Sequence, residues 1–120
     1  MKKLMLIATC GLCVAGCSTF GERATLPPNI ENVPVVLAPN RDLKSAVVVA
    51  AARRRWTPAE VDAETIRCTL VQRAHKVVVD VRLIDERHYS VLMVESNIPA
   101  KKVAQWVNNL QREIAKYAVR

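Results

Sequence analysis

The side chains with most chemistry to offer in this 120-residue chain are four cysteines, two histidines and a surplus of arginine and lysine. Cys10, Cys13 and Cys17 stand at a C-x2-C-x3-C spacing, and closely spaced thiolates can hold a soft metal. The histidines could serve acid–base work or metal ligation only by sharing a site. The hairpin predicted below keeps them apart: His75 opens one strand and His88 opens the return strand, about 30 Å away at roughly 3.3 Å per residue. Asp80, Asp85, Glu86 and Glu95 do not cluster by spacing. Of three glycines only Gly21 lies beyond residue 16, too few for a phosphate-cradling loop. The chain is therefore expected not to be an enzyme, with no catalytic residue, no metal site and no cofactor.

The surroundings of the cysteine cluster redirect its reading. Met1-Lys2-Lys3 precedes an apolar run over residues 4–14, and the small Ala15 and Gly16 lead into Cys17. Two lysines hold the start on the cytoplasmic side while about eleven apolar residues engage the translocation machinery, the pattern of a signal peptide over 1–16. The run is too short to span a bilayer, which takes roughly 20 apolar residues. Small residues before the cysteine and the polar Ser18-Thr19 after it fit processing better than a buried N-terminal helix.

Val14-Ala15-Gly16-Cys17 resembles the lipobox of bacterial lipoproteins: a branched apolar residue, two small residues and the modified cysteine. The resemblance implies cleavage between Gly16 and Cys17, a diacylglyceryl group on the Cys17 thiol, and acylation of the new amine. Several acyl chains at about 0.8 kcal/mol per buried CH2 make a stable membrane anchor, where a single chain is marginal. Ser18 follows the cysteine, where an aspartate would imply retention in the inner membrane. The resemblance thus points to the outer membrane, with the protein facing the periplasm.

Processing takes Lys2 and Lys3 away, so 18 basic side chains become 16 against 11 acidic ones, a net +5 on 104 residues. In a cytoplasmic chain that balance would raise nucleic acid as a partner, but export removes the protein from that pool and no nucleic acid is expected. The remaining partners are the membrane through the lipid anchor, an anionic headgroup or cell-wall polymer, and an envelope protein. Cys10 and Cys13 leave with the leader and Cys17 becomes a thioether, so Cys68 remains as a thiol with no cysteine to pair with. Its place in Ile66-Arg67-Cys68-Thr69-Leu70, on the apolar side of the alternation, fits a buried and inert group.

Residues 17–42 read as the lipidated cysteine and a proline-rich tether, with Pro27, Pro28, Pro34 and Pro39 spaced by asparagines. Within it Val33-Pro34-Val35-Val36-Leu37 is apolar enough to dock as an edge strand, where proline is tolerated. The folded domain is expected over 43–120. Asp42 is a candidate N-cap for a helix ending near Arg55, with Leu43, Val47, Ala50, Ala51 and Arg54 near one stripe and Thr57-Pro58 breaking the backbone. Arg53-Arg54-Arg55 complements the carbonyl end of that helix dipole, a reading preferred to an anion site. Period-two alternation marks strands over roughly 64–72, 75–84 and 88–95. Their turns, Arg73-Ala74 and Asp85-Glu86-Arg87, lack the glycine or asparagine that tight hairpins favour. A last helix starts near Pro99 and carries Val103, Trp106, Val107, Leu110, Ile114 and Tyr117 on one face. The expected fold class is α+β, a two-layer α-β-β-β-α domain: a three-stranded antiparallel meander with two helices packed on one face.

One face of that sheet collects Ile66, Cys68, Leu70, Val77, Val79, Val81, Leu83, Tyr89, Val91 and Met93. The other should be polar, and Thr65, Arg67, Lys76, Asp80, Arg82 and Ser90 comply, with Arg67 opposite Asp80. Val71, Val78, Leu92 and Val94 break the rule. They form a candidate partner patch, or else residues 35–37 fold over them. On the last helix Lys101, Lys102, Arg112 and Lys116 make a candidate anion-binding face.

The order Ala51-Ala52-Arg53-Arg54-Arg55-Trp56-Thr57, an alternating hairpin with His75, Tyr89-Ser90-Val91, then Trp106-Val107-Asn108-Asn109-Leu110 is similar to a group of small bacterial lipoproteins of unknown function. In that group an alanine-rich helix ending in an Arg-Gly-Trp-like step precedes a sheet, and a Trp-Val/Ile-x-Asn-Leu helix follows it. The likeness covers most of residues 43–116. Here Arg55 and Ala74 stand where the group usually has glycine, and Leu92 where a polar residue is common. The group supplies no catalytic or ligand-binding residues. The functional expectation is an outer-membrane-anchored periplasmic lipoprotein acting as a binding or structural module in cell-envelope assembly; the alternative is binding of anionic lipid or cell-wall polymer through the basic C-terminal helix.

Overall fold

Alternation over residues 65–96 builds three long strands, and a further strand joins each side of them. In a computed structural model, which describes residues 26–120, the order is β1 (Ile30–Pro34), α1 (Leu43–Arg53), β2 (Thr57–Asp62), β3 (Thr65–Gln72), β4 (His75–Asp85), β5 (His88–Ser96) and α2 (Ala100–Ala118). The chain is α+β, with a five-stranded antiparallel sheet ordered β1-β5-β4-β3-β2.

The expected three-stranded meander is thus corrected to a meander of four strands, β2 to β5, with β1 added along the free side of β5. The element order becomes β-α-β-β-β-β-α, and the folded unit starts before residue 43. α1 ends at Arg53, before the Thr57-Pro58 step expected to break it, and those two residues instead begin β2. Pro58 lies opposite Cys68 on an edge strand, the one place in a sheet where a missing N–H is tolerated. β1 is the edge strand expected around Pro34, displaced toward the N-terminus. Its ladder is interrupted between Ile30 and Val33, where Asn32 takes φ 53° and donates its N–H to Ser90 Oγ at 3.0 Å. Asn29 Oδ1 accepts the Met93 N–H at 2.8 Å, so side-chain atoms complete the pairing the bulge disrupts. Beyond β1 the chain stays on the helix side: Val35 is buried in the core and Leu37 packs against it, while Val36 is 77% exposed. Residues 35–37 therefore do not fold over the second sheet face.

Both helices and one sheet face close a single core. Ala46, Val47, Ala50 and Ala51 of α1 are fully buried, as are Val103, Val107, Leu110, Ile114 and Ala118 of α2. Small side chains on α1 let the helices approach closely. Asp42 occupies the N-cap position without a side-chain capping bond; its carbonyl accepts the Ala46 N–H at 3.1 Å.

The turns explain how the chain manages without glycine. At the β3–β4 hairpin Arg73 takes φ 60°, and Asn97 clamps the turn from the end of β5. Its Nδ2 donates to the Ala74 carbonyl and its Oδ1 accepts the Lys76 N–H, both at 2.8 Å. The other two hairpins use Asx geometry. Asp62 accepts the Glu64 N–H and Asp85 the Arg87 N–H, each at 2.8 Å. Those bonds favour the charged form and lower both carboxyls, with the His88 ring a second contributor at Asp85.

Candidate functional site

Arg54 and Arg55 are placed by the way α1 ends. The Arg55 N–H bonds the Ala52 carbonyl at 3.1 Å and the Trp56 N–H reaches the Ala51 carbonyl at 2.8 Å, the paired bonds of a Schellman motif. That motif needs a left-handed residue, and Arg55 supplies it at φ 70° where glycine would be relaxed. Trp56 then turns inward and is 3% exposed, leaving Arg54 and Arg55 at the surface beside α2.

Facing them, α2 presents Trp106, Asn109, Arg112, Glu113 and Lys116 at helical spacing. Two depressions lie along this seam. The first, about 220 Å³, is lined by Arg54, Arg55, Trp106 and Asn109 over Trp56 and Leu70, with Val71 and Gln72 at its rim. The second, about 310 Å³, is lined by Arg54, Asn109, Arg112, Glu113 and Lys116. Arg54 and Asn109 line both, so the two depressions are neighbours along the seam between α1 and α2, and together they make up the groove. Glu113 is buried and is the acidic residue among those linings; Arg53 Nη1 approaches its carboxylate at 3.6 Å, which offsets the charge. The groove is left with an excess of cations.

Of the predicted anion-binding residues, Arg112 and Lys116 line this groove, whereas Lys101 and Lys102 are exposed in the first turn of α2 and line neither depression. About three helical turns separate the two pairs. Sequence reading missed the part played by Arg54, Trp106 and Asn109. Trp106 was assigned to the apolar stripe and is half-buried at its margin. A helical wheel carrying Trp106, Asn109, Arg112 and Lys116 together was the available signal, with the arginine triplet as its complement.

The second sheet face is polar with apolar interruptions. Val71 is 62% exposed, Val94 is 38% exposed beside a register break, Leu92 is half-buried and Val78 is 5% exposed. In register, Val78 sits between Thr69 and Glu95, and Leu92 lies across from Asp80. Arg67 grips Asp80 through two bonds, Nε to Oδ1 at 2.8 Å and Nη2 to Oδ2 at 3.0 Å, and Lys76 Nζ lies 3.5 Å from Glu95. The four apolar residues are thus divided by charged pairs.

A third depression, about 540 Å³, lies between residues 37–44 and the β4–β5 turn. Arg41, Lys44 and Arg87 line it with Asp42, Glu64, Asp85 and Glu86, a mixture with no dominant sign. Arg41 itself is engaged: its guanidinium lies 4.2 Å from the Tyr117 ring centre, Nη1 donates to the Tyr117 hydroxyl at 3.1 Å, and the Ala38 N–H bonds the Ala118 carbonyl at 2.8 Å. These contacts fasten the segment before α1 to the end of α2.

His75 and His88 fall at opposite ends of the eleven-residue β4, where His88 pairs with Asp85 at 2.9 Å. Among the described residues no three histidine, cysteine or acidic side chains gather as a metal would require. Cys68 is fully buried, and desolvation pushes its thiol up to about 12. No described helix is long and apolar enough to cross a membrane. Gly16 and Cys17, the predicted cleavage and lipidation site, lie outside the described residues. Comparison with protein-family models, curated proteins and solved structures found no match for this chain.

Proposed function

We propose that this chain is a lipid-anchored module of the bacterial cell envelope that binds an anionic polymer or lipid headgroup through the groove between the end of α1 and α2. The observation that carries the reading is the convergence of Arg54 with Arg112 and Lys116 in one surface depression. Guanidinium forks match carboxylate and phosphate oxygens, and several cations in one groove attract such ligands at long range. Cys17 supplies the anchor, with cleavage after Gly16 and delivery to the periplasmic face of the outer membrane. The module acts by binding, without cofactor or catalytic group.

Co-sedimentation of the full chain, held in neutral detergent, with inorganic polyphosphate tests this. Binding should weaken as salt rises and fall at least tenfold in the R54Q/R112Q/K116Q variant. Binding that is indifferent to these three residues sinks the reading. The exposure of Val71 and Val94 favours a second reading, docking of an envelope protein on the other sheet face. Crosslinking in cells through Val94, which lines neither depression of the groove, separates it from the first.

A further inference from the structure

We infer that the part of the groove beside Trp106 is a subsite for the sugar ring of an acidic polysaccharide, one pyranose lying on the indole while its carboxylate or phosphate meets Arg54 and Arg55. The inference rests on the charge-binding reading above and names its ligand.

Five observations carry it. The charged groove does not end among cations: its first depression has an apolar floor of Trp56 and Leu70 and a half-buried indole as one wall. The negative face of an aromatic ring attracts the weakly positive C–H face of a sugar, a contact that a bare phosphate chain cannot make. At about 220 Å³ this depression is smaller than the ~300–1,000 Å³ of whole-ligand pockets, so it fits one ring-sized unit. Asn109, shared by both depressions, offers amide donors and an acceptor to hydroxyl groups. From Trp106 to Lys116 the groove follows α2 for about 15 Å at 1.5 Å per residue, which suits successive units of a chain better than a single headgroup.

Arg55 adds the fifth observation. It holds a left-handed backbone that glycine would adopt without strain, and it lines this depression. Its side chain brings charge to the groove at the expense of backbone comfort. The same position therefore separates binding from folding.

The test uses the full chain in neutral detergent with two polyanionic probes, tetragalacturonate, which carries a pyranose ring with each carboxylate, and inorganic tetraphosphate, which carries no ring. W106L should weaken tetragalacturonate roughly tenfold and leave tetraphosphate unchanged, and the sugar should shield Trp106 from acrylamide quenching while buried Trp56 stays silent. R55G should weaken both probes roughly tenfold with an unchanged or raised melting temperature, because glycine relieves the left-handed strain. If W106L affects the two probes alike, or neither, the sugar subsite is wrong while charge binding through Arg54 and Arg112 stands. If neither probe binds the parent chain, both readings fall. A single-stranded oligonucleotide that binds more tightly than tetragalacturonate and depends on Trp106 overturns the sugar in favour of a stacked base.

Discussion

The two faces of the sheet are made by the same strands and solve different problems. On the helix side Ile66, Cys68, Val77, Val79, Val81, Tyr89 and Val91 are at most 1% exposed, and burial pushes the Tyr89 phenol above its ordinary value. On the other side the rows are Thr69, Val78 and Glu95, then Arg67, Asp80 and Leu92, then Thr65, Arg82 and Ser90. Yet Val78 is nearly as buried as its neighbours Val77 and Val79, although it belongs to no apolar cluster with the helices. Burial on a central strand thus comes partly from flanking side chains, polar ones included, and an apolar residue on an outer face is not by itself a docking surface.

The largest break in this comparison comes from the helix side. L110A should cost about 3 kcal/mol, the usual result of truncating a fully enclosed leucine, and a domain this small would lose most of its folded population. Urea unfolding followed by circular dichroism measures it; a loss below about 1 kcal/mol would mean the helix pair is not the main source of stability. Next comes the Cys68 thiol on the same face. Its folded value of about 12 lies above its ordinary value of 9.0, so folding favours the neutral thiol. That contribution is complete below the unfolded value and is lost as pH rises through the window between the two. Between neutral pH and about pH 10.5 the parent chain should lose on the order of 2 kcal/mol of stability that C68A does not lose, on top of whatever constant packing difference separates the two. Equal alkaline slopes for the two chains would place the thiol in contact with water.

The alternation behind this core was readable, because a two-residue period survives wherever one face is buried and the other is wet. The last helix was readable for the same reason, through its apolar stripe. β2 was not, since Thr-Pro-Ala-Glu-Val-Asp has neither alternation nor β-branched density. It is a strand because β3 offers an edge and Asp62 closes the turn. The groove was half readable. Arg112 and Lys116 could be grouped from α2 alone, but Arg54 joins them through helix packing, which leaves no mark on the spacing between residues 54 and 109. Arg55 and Arg73 show the limit of turn rules: both take left-handed backbone without glycine, one held by a Schellman pair and the other by the Asn97 clamp.

On the outer face the contrast between Val78 and Val71 is testable between adjacent rows of side chains, Val78 beside Thr69 and Val71 beside Lys76. V78S should cost about 1–2 kcal/mol through lost packing and a hydroxyl placed where water is excluded. V71S, at a position 62% exposed, should stay within about 0.5 kcal/mol. Similar costs for the two would show that an unrecognised cover protects the whole face, and the partner-patch reading would regain ground. A change confined to Val78 makes that residue structural and leaves Val71 and Val94 to any partner.

The smallest effect belongs to the pair that divides the apolar residues. Arg67 and Asp80 meet in a two-pronged geometry, and the carboxylate hydrogen bond, then its charge, raise the Arg67 guanidinium above its ordinary value. Exposed pairs of this kind contribute little, because water and salt already solvate both partners. A double-mutant cycle with R67Q and D80N should therefore give a favourable coupling smaller than the cost of V78S, shrinking as salt is raised. Coupling that survives high salt would mean that the pair is shielded from solvent by something resting on this face. The ion pair would then be the first reporter of a bound partner there, since desolvation strengthens a paired charge only where another surface has displaced the water.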